Sequence, residues 1–255
     1  MNHQPAVWGI QSGQFLSRPR LETLLASLTP SGDTPSSSLY LRPGEVIQFL
    51  ETTNPEAGVW AERLSQLSDA VLNSDTGLAG LRAGGHALVI VPPFPVQENK
   101  LAAQWDVAPL LELLAADYLV GVVLLRLGRF SVAVYQGDRL LASKTDARYV
   151  KGRHRAGGSS QRRFERIREG QMRRIYDKTC EAVAAQFEPL ASQLDYVVLG
   201  GERITLNNFR KVCPYLERFQ DRILGRLLNI RDPKRDALEE VGRLLWQSRV
   251  YPIEW

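Results

Sequence analysis

Residues 119–145 read LVGVVLLRLGRFSVAVYQGDRLLASKT, and their reading decides the fold. Leu119–Leu125 is a continuous apolar run, the pattern of a strand buried on both faces. Phe130–Tyr135 alternates with period two, as a strand does when its two faces differ. Gly137-Asp138 is a turn signal and leads into a third strand, Arg139–Thr145. Three strands joined by short connections predict an antiparallel meander. Downstream the period changes. Phe164, Ile167, Ile175, Thr179, Val183 and Phe187 recur at helical spacing and mark one packed side of a long helix, while Arg162, Arg166 and Arg173 share another side. A strand at Asp195–Leu199 follows and ends in Gly200-Gly201. A helix starts near Asn207, and Ile223–Ile230 is a further strand. Asp232-Pro233 caps a last helix carrying Leu238, Val241, Leu244 and Leu245.

Upstream, residues 29–38 are rich in Pro, Ser, Gly and Asp and form a loop, which leads into a short strand at Leu39–Arg42. Asn54-Pro55 opens an amphipathic helix to about Leu72, with Trp60, Leu64, Leu67 and Val71 on its apolar side. His86–Val91 is a buried strand stopped by Pro92-Pro93. Pro109–Tyr118 is a short leucine-rich helix. These signals divide the chain into a small N-terminal α/β domain, residues 1–95, and a second domain, residues 97–255. In the second, the order of three strands, helix, strand, helix, strand, helix predicts an α/β sandwich on a mixed sheet. That order resembles the ribonuclease-H-like arrangement.

The charge is uneven. The 255 residues carry a net charge of only +4, yet Arg148–Lys178 holds 11 Lys and Arg against 3 Asp and Glu. This window is therefore +8 and the remainder −4, the footprint of a polyanion-binding segment. Hydrophobic content of 44% and charged content of 24% are those of an ordinary globular chain. Cys180 and Cys213 are the only cysteines, which predicts no disulfide framework and no zinc site and suits a reducing cytosol. No metal or other cofactor is expected. The first residues lack the basic and apolar regions of a signal peptide, and no apolar run is long enough to span a bilayer. The expectation is a cytoplasmic protein without a membrane partner.

The basic window reads KGRHRAGGSSQRRFERIR over residues 151–168. Gly157 and Gly158 let the backbone approach a ligand closely. Gln161 follows, with arginines on both sides. Glutamine does not titrate near neutral pH, so Gln161 is a poor general base, but its amide can hold a water or a ribose hydroxyl. Ser159 and Ser160 have no His-Asp partner in evident register. His154 fits a phosphate contact better than a catalytic base, and Gly200-Gly201-Glu202 lacks the spacing of a phosphate-binding loop.

Gly157-Gly158-Ser159-Ser160-Gln161-Arg162-Arg163-Phe164, between a meander and a long basic helix, resembles the catalytic domain of the Vms/ANKZF ribosome quality-control family, above all its compact bacterial members. It is also similar to the middle domain of archaeal and eukaryotic class-1 peptide-chain release factors. There glutamine follows the glycines directly; here two serines intervene. The resemblance covers roughly residues 97–255. It implies a release-factor catalytic domain acting as a peptidyl-tRNA hydrolase, with peptidyl-tRNA and the large ribosomal subunit as partners. Gly157, Gly158, Ser160 and Gln161 would form the catalytic loop. Lys151, Arg153, His154, Arg155, Arg162, Arg163, Arg166 and Arg173 would meet RNA phosphates, which carry no base information, and no DNA partner is expected. Three other readings stay open: a nuclease cutting near the tRNA 3′ end, a non-catalytic ribosome- or RNA-binding module, and an inert structural domain.

Overall fold

The computed structural model describes residues 9–51, 54–126, 128–147 and 159–255, and for Glu56 and residues 159–165 the backbone alone. The chain forms two compact units, one of Met1–Ala116 with Trp246–Trp255 and one of Asp117–Leu245. This corrects the division at residues 95–97: residues 97–116 and the last ten residues belong with the N-terminal unit.

The first unit contains β1 (Gln14–Leu16), α1 (Arg18–Ser27), β2 (Ser36–Leu41), α2 (Glu45–Leu50), α3 (Pro55–Leu64), α4 (Asp69–Leu72), β3 (Leu78–Ala83), β4 (His86–Val91), β5 (Lys100–Ala102) and α5 (Ala108–Ala115). The helix expected to reach Leu72 breaks after Leu64. The Ser65 hydroxyl donates to the Glu62 carbonyl at 2.7 Å, and the Leu67 N–H takes the Leu64 carbonyl at 2.9 Å, so the ladder tightens and ends. Ser68, with extended backbone, then starts α4.

The second unit contains β6 (Leu119–Arg126), β7 (Arg129–Gln136), β8 (Arg139–Ala147), α6 (Ser159–Phe187), β9 (Tyr196–Gly201), α7 (Arg203–Arg210), β10 (Ile223–Leu228) and α8 (Ala237–Leu244). Its five strands lie in the order β10-β9-β6-β7-β8. β6 pairs antiparallel with β7 and parallel with β9, and β9 pairs parallel with β10. This is the mixed, ribonuclease-H-like sheet expected from the order of elements. The last helix differs in its start: Asp236, not Asp232-Pro233, stands at its N-cap, and Asp232 instead pairs with Arg129 at 2.9 Å.

The apolar run of β6 is buried on both faces because helices cover both. On one face, Val123, Leu125, Val132, Val134 and Val197 pack with Ile175, Val183 and Phe187 of α6 and with Leu206 and Phe209 of α7. On the other, the buried Tyr135 hydroxyl donates to the Leu238 carbonyl of α8 at 2.6 Å. Burial pushes the Tyr135 pKa up, which keeps that donor protonated. Gly121 lets α6 lie close: a Cβ there would stand 2.6 Å from Phe187 Cζ. Gly201 takes φ +131°, and its Cβ would collide with the Leu125 carbonyl oxygen, so this glycine serves strand packing at the end of β9.

The chain then returns to the first unit as β11 (Ser248–Glu254), giving that unit a six-stranded sheet in the order β1-β11-β4-β3-β2-β5. β11 contains Pro252, which lies past the three residues paired with β1, where no N–H is required on that side.

Cys180 of α6 and Cys213, just beyond α7, form a disulfide with Cα atoms 5.4 Å apart. This overturns the expectation of no disulfide. The two cysteines are 33 residues distant in sequence and meet because the short 3₁₀ helix Pro214–Arg222, which Cys213 caps, packs against α6.

Candidate functional site

Helix α6 is 29 residues long, about 43 Å at 1.5 Å per residue. Among the described side chains, those of its second half are anchored; Phe164, expected on the packed side, lies outside the described side chains. Ile175, Thr179, Val183 and Phe187 are fully buried, and the Thr179 hydroxyl donates back to the Ile175 carbonyl at 2.7 Å. Met172 is the first described side chain to pack against this core. Upstream, Arg166, Glu169 and Gly170 are exposed and Arg168 and Gln171 are half-buried. Ile167, expected on the packed side, is 41% exposed. Among the described side chains, the buried stripe thus begins at Ile175 and does not include Ile167.

Helix α7 fixes where this happens. The rings of Tyr176 and Phe209 lie 6.0 Å apart, and the Tyr176 hydroxyl, its pKa raised by burial, bonds to the Asn208 side chain. Tyr176 and Phe209 are therefore level. Glu202, seven residues before Phe209, precedes α7; Glu169, seven before Tyr176, lies well inside α6. Ten residues of α6, Ser159–Arg168, precede that level, about 15 Å of helix. The same register brings β6, β8, β9 and β10 to a common edge: Arg126 opposes Arg129, Arg129 opposes Ala147, Leu125 pairs with Gly201 and Gly200 with Leu228. The connection from β8 to α6 leaves from that edge.

Ser160, Gln161, Arg162 and Arg163 stand in the opening turns of α6, on helical backbone. The first turn holds no acidic residue, so the partial positive charge of the helix terminus adds to that of the arginines. Arg166 is exposed. Arg173 is exposed and donates Nε to Asp177 Oδ1 at 3.2 Å, an i,i+4 pair on the same helix. Lys151, Arg153, His154, Arg155, Gly157 and Gly158 lie outside the described residues. The opposite end of α6 carries a separate polar cluster. The Tyr215 hydroxyl and Arg218 Nη1, the latter at 2.6 Å, both donate to Glu188 Oε2 and hold that carboxyl below its usual range. Among the described residues there is no group of three or more His, Cys, Asp or Glu that could hold a metal, and no helix is long and apolar enough to cross a membrane.

Gly170 sits inside α6, between the anchored half and the exposed half. A Cβ placed on it meets nothing within 4 Å. Glycine in a helix interior costs about 1 kcal/mol relative to alanine. Gly170→Ala should therefore raise protection from hydrogen exchange at residues 166–171, with no fall in the thermal midpoint. A lower midpoint would mean that the helix needs the glycine for packing.

Comparison with known proteins places this architecture. The sequence model of the Actinobacteria/chloroflexi VLRF1 release factor matches residues 118–251, more than half of the chain. The chain belongs to this family. Peptide chain release factor subunit 1 of Archaeoglobus fulgidus is 28% identical over 165 residues, covering 60% of this chain and 40% of the archaeal protein. The protein of the same name from Methanosphaera stadtmanae is 33% identical over 123 residues, 48% of this chain and 30% of that protein. The chain thus spans well under half the length of these relatives. Two solved structures align along most of the chain. An archaeal translation termination factor, aRF1, gives a TM-score of 0.37 at 17% identity over 90% of this chain and 72% of that one. The Vms1 mitochondrial localization core gives 0.39 at 12% identity over 91% and 92%. The family membership makes this VLRF1-type chain a release-factor domain with a role in translation, and the resemblance drawn from the glycine pair and the order of elements is to the same group.

Proposed function

We propose that this VLRF1-type protein is a peptidyl-tRNA hydrolase that frees nascent chains from stalled large ribosomal subunits, with Gln161 positioning the attacking water. The observation that carries the reading is the place of Gln161. It stands in the first turn of a helix that begins directly after a glycine pair, upstream of residues 166–171, none of which is buried, in a chain of a release-factor family.

The chemistry asks little of a catalyst. The ester joining peptide to terminal ribose is already activated, so positioning and charge stabilisation suffice. Water oxygen adds to the acyl carbon, the bond to the ribose oxygen breaks, and that oxygen leaves with a proton. The Gln161 amide holds the water or the terminal ribose. Backbone N–H groups near Gln161 stabilise the developing oxyanion, and Gly157, Gly158 and Ser160 belong to that catalytic loop. Lys151, Arg153, His154, Arg155, Arg162, Arg163, Arg166 and Arg173 draw the acceptor end in through its phosphates.

Replacing Arg162, Arg163 and Arg166 together with alanine should flatten the slope of log affinity against log salt for isolated tRNA. Three duplex phosphate contacts correspond to roughly 2–3 units. An unchanged slope would reduce these side chains to helix solvation. The direct test of the function is to add the purified protein to large subunits carrying peptidyl-tRNA. Free peptide should appear with protein and not without it; subunits that retain their peptidyl-tRNA would refute the reading.

A further inference from the structure

Helix α7 carries a second basic surface that the sequence reading passed over. The second unit holds 25 Lys and Arg against 16 Asp and Glu, a net +9, while the first holds 7 against 12, a net −5. Part of that excess lies on α7. From Arg203 to Leu216 there are three cations, Arg203, Arg210 and Lys211, and no acidic residue. The helix is sharply two-sided. Thr205, Leu206 and Phe209 are buried, while Arg203, Ile204, Asn207, Asn208, Arg210 and Lys211 are exposed. Ile204 is 78% exposed. Arg203, Arg210 and Lys211 form no ion pair among the described residues.

The surface lies on the same side of the sheet as α6. Leu206 and Phe209 of α7 and Ile175, Val183 and Phe187 of α6 enter one core on one face of the sheet, so the outer sides of both helices look away from the same face. The Cys180–Cys213 disulfide and the Tyr176–Phe209 contact hold the helices in register. Arg166 and Arg174 are exposed on α6. The one described pairing of an α6 arginine, Arg173 with Asp177, is internal to that helix. Arginine, lysine and asparagine are side chains that bind phosphate and sugar oxygens, and the exposed side of α7 is built of these types around one isoleucine.

We propose that the exposed side of α7, through Arg203, Arg210 and Lys211, is a second RNA-contacting surface that binds backbone phosphates. The inference rests on the proposed function only in taking RNA as the partner. Transfer RNA and ribosomal RNA present the same chemistry, and the experiment separates them. The full chain and the variant R203A/R210A/K211A are titrated with isolated tRNA and with large ribosomal subunits across a salt series. The slope of log affinity against log salt should fall by about 2–3 units for at least one of the two, since each phosphate contact contributes roughly 0.7–0.9. A fall with tRNA assigns the surface to the tRNA; a fall with subunits alone assigns it to ribosomal RNA. The thermal midpoint should stay at the wild-type value because the three side chains are exposed. The charge-conserving variant R203K/R210K/K211R should keep most of the slope. An unchanged slope with both RNAs overturns the proposal. So does a loss of affinity independent of salt, which would mark a protein contact. Gln161→Ala separates this proposal from the hydrolase reading: if it releases peptide normally, the catalytic assignment falls while the slope difference stands.

Discussion

Gln161→Ala should lower the rate of peptide release by about a hundredfold or more, the scale of losing one preorganised polar contact at a reacting centre. Binding to large subunits should hardly change, because the amide is one neutral group among many cations. The substitution sits in the first turn of α6, fourteen residues before Ile175, the first buried residue among its described side chains, and alanine favours helix. Loss of release therefore cannot be ascribed to loss of fold. Single-turnover release assays read the rate, and circular dichroism confirms the helix. Release at the wild-type rate would remove Gln161 from the mechanism.

Phe187→Ala should act in the opposite sense, on the fold rather than on the chemistry. Phe187 is fully buried, meets Phe219 edge-to-face at 5.8 Å and rests against Gly121. Truncating a buried phenylalanine costs about 3–5 kcal/mol, through lost burial and the cavity left behind. Collapse here is hindered, since Gly121 has no side chain to move into the space. That loss is a large share of the roughly 5–15 kcal/mol of a typical domain. A urea titration should show a markedly lower midpoint, and α6 should lose its anchor to the sheet. A midpoint within about 0.5 kcal/mol of wild type would mean that α6 is held by other contacts, such as the Cys180–Cys213 disulfide.

Much of this was written in the local pattern. The run at Leu119–Leu125 and the alternation at Phe130–Tyr135 define β6 and β7 because burial on two faces or on one leaves a direct trace in residue type. The long helix was legible from Ile175, Thr179, Val183 and Phe187 for the same reason. Its opening half was misread in part. Periodicity places Ile167 with the core, but it is exposed: helical spacing gives the side of the helix a residue lies on and not whether anything packs there. What depends on distant partners left no local trace. β11 contains a proline and pairs with β4, more than 150 residues away, so the last strand was not seen to return to the first unit. The Cys180–Cys213 bridge depends on the 3₁₀ helix Pro214–Arg222 packing against α6, which spacing alone does not reveal. The basic side of α7 was overlooked because three cations spread over nine residues are weak beside the eleven in the window before it. At the candidate site, the sequence offers the glycine pair and the glutamine. The structure adds the start of α6 at Ser159 and the level at which the core ends.

The central claim is that water, and not a nuclease step, ends the bond between peptide and tRNA. It is tested most directly by running the release reaction on large subunits in heavy-oxygen water and weighing both products. The account predicts a peptide whose terminal carboxylate has gained one heavy oxygen, and a tRNA that keeps its terminal adenosine. A peptide still attached to a nucleotide, beside a shortened tRNA, would contradict it.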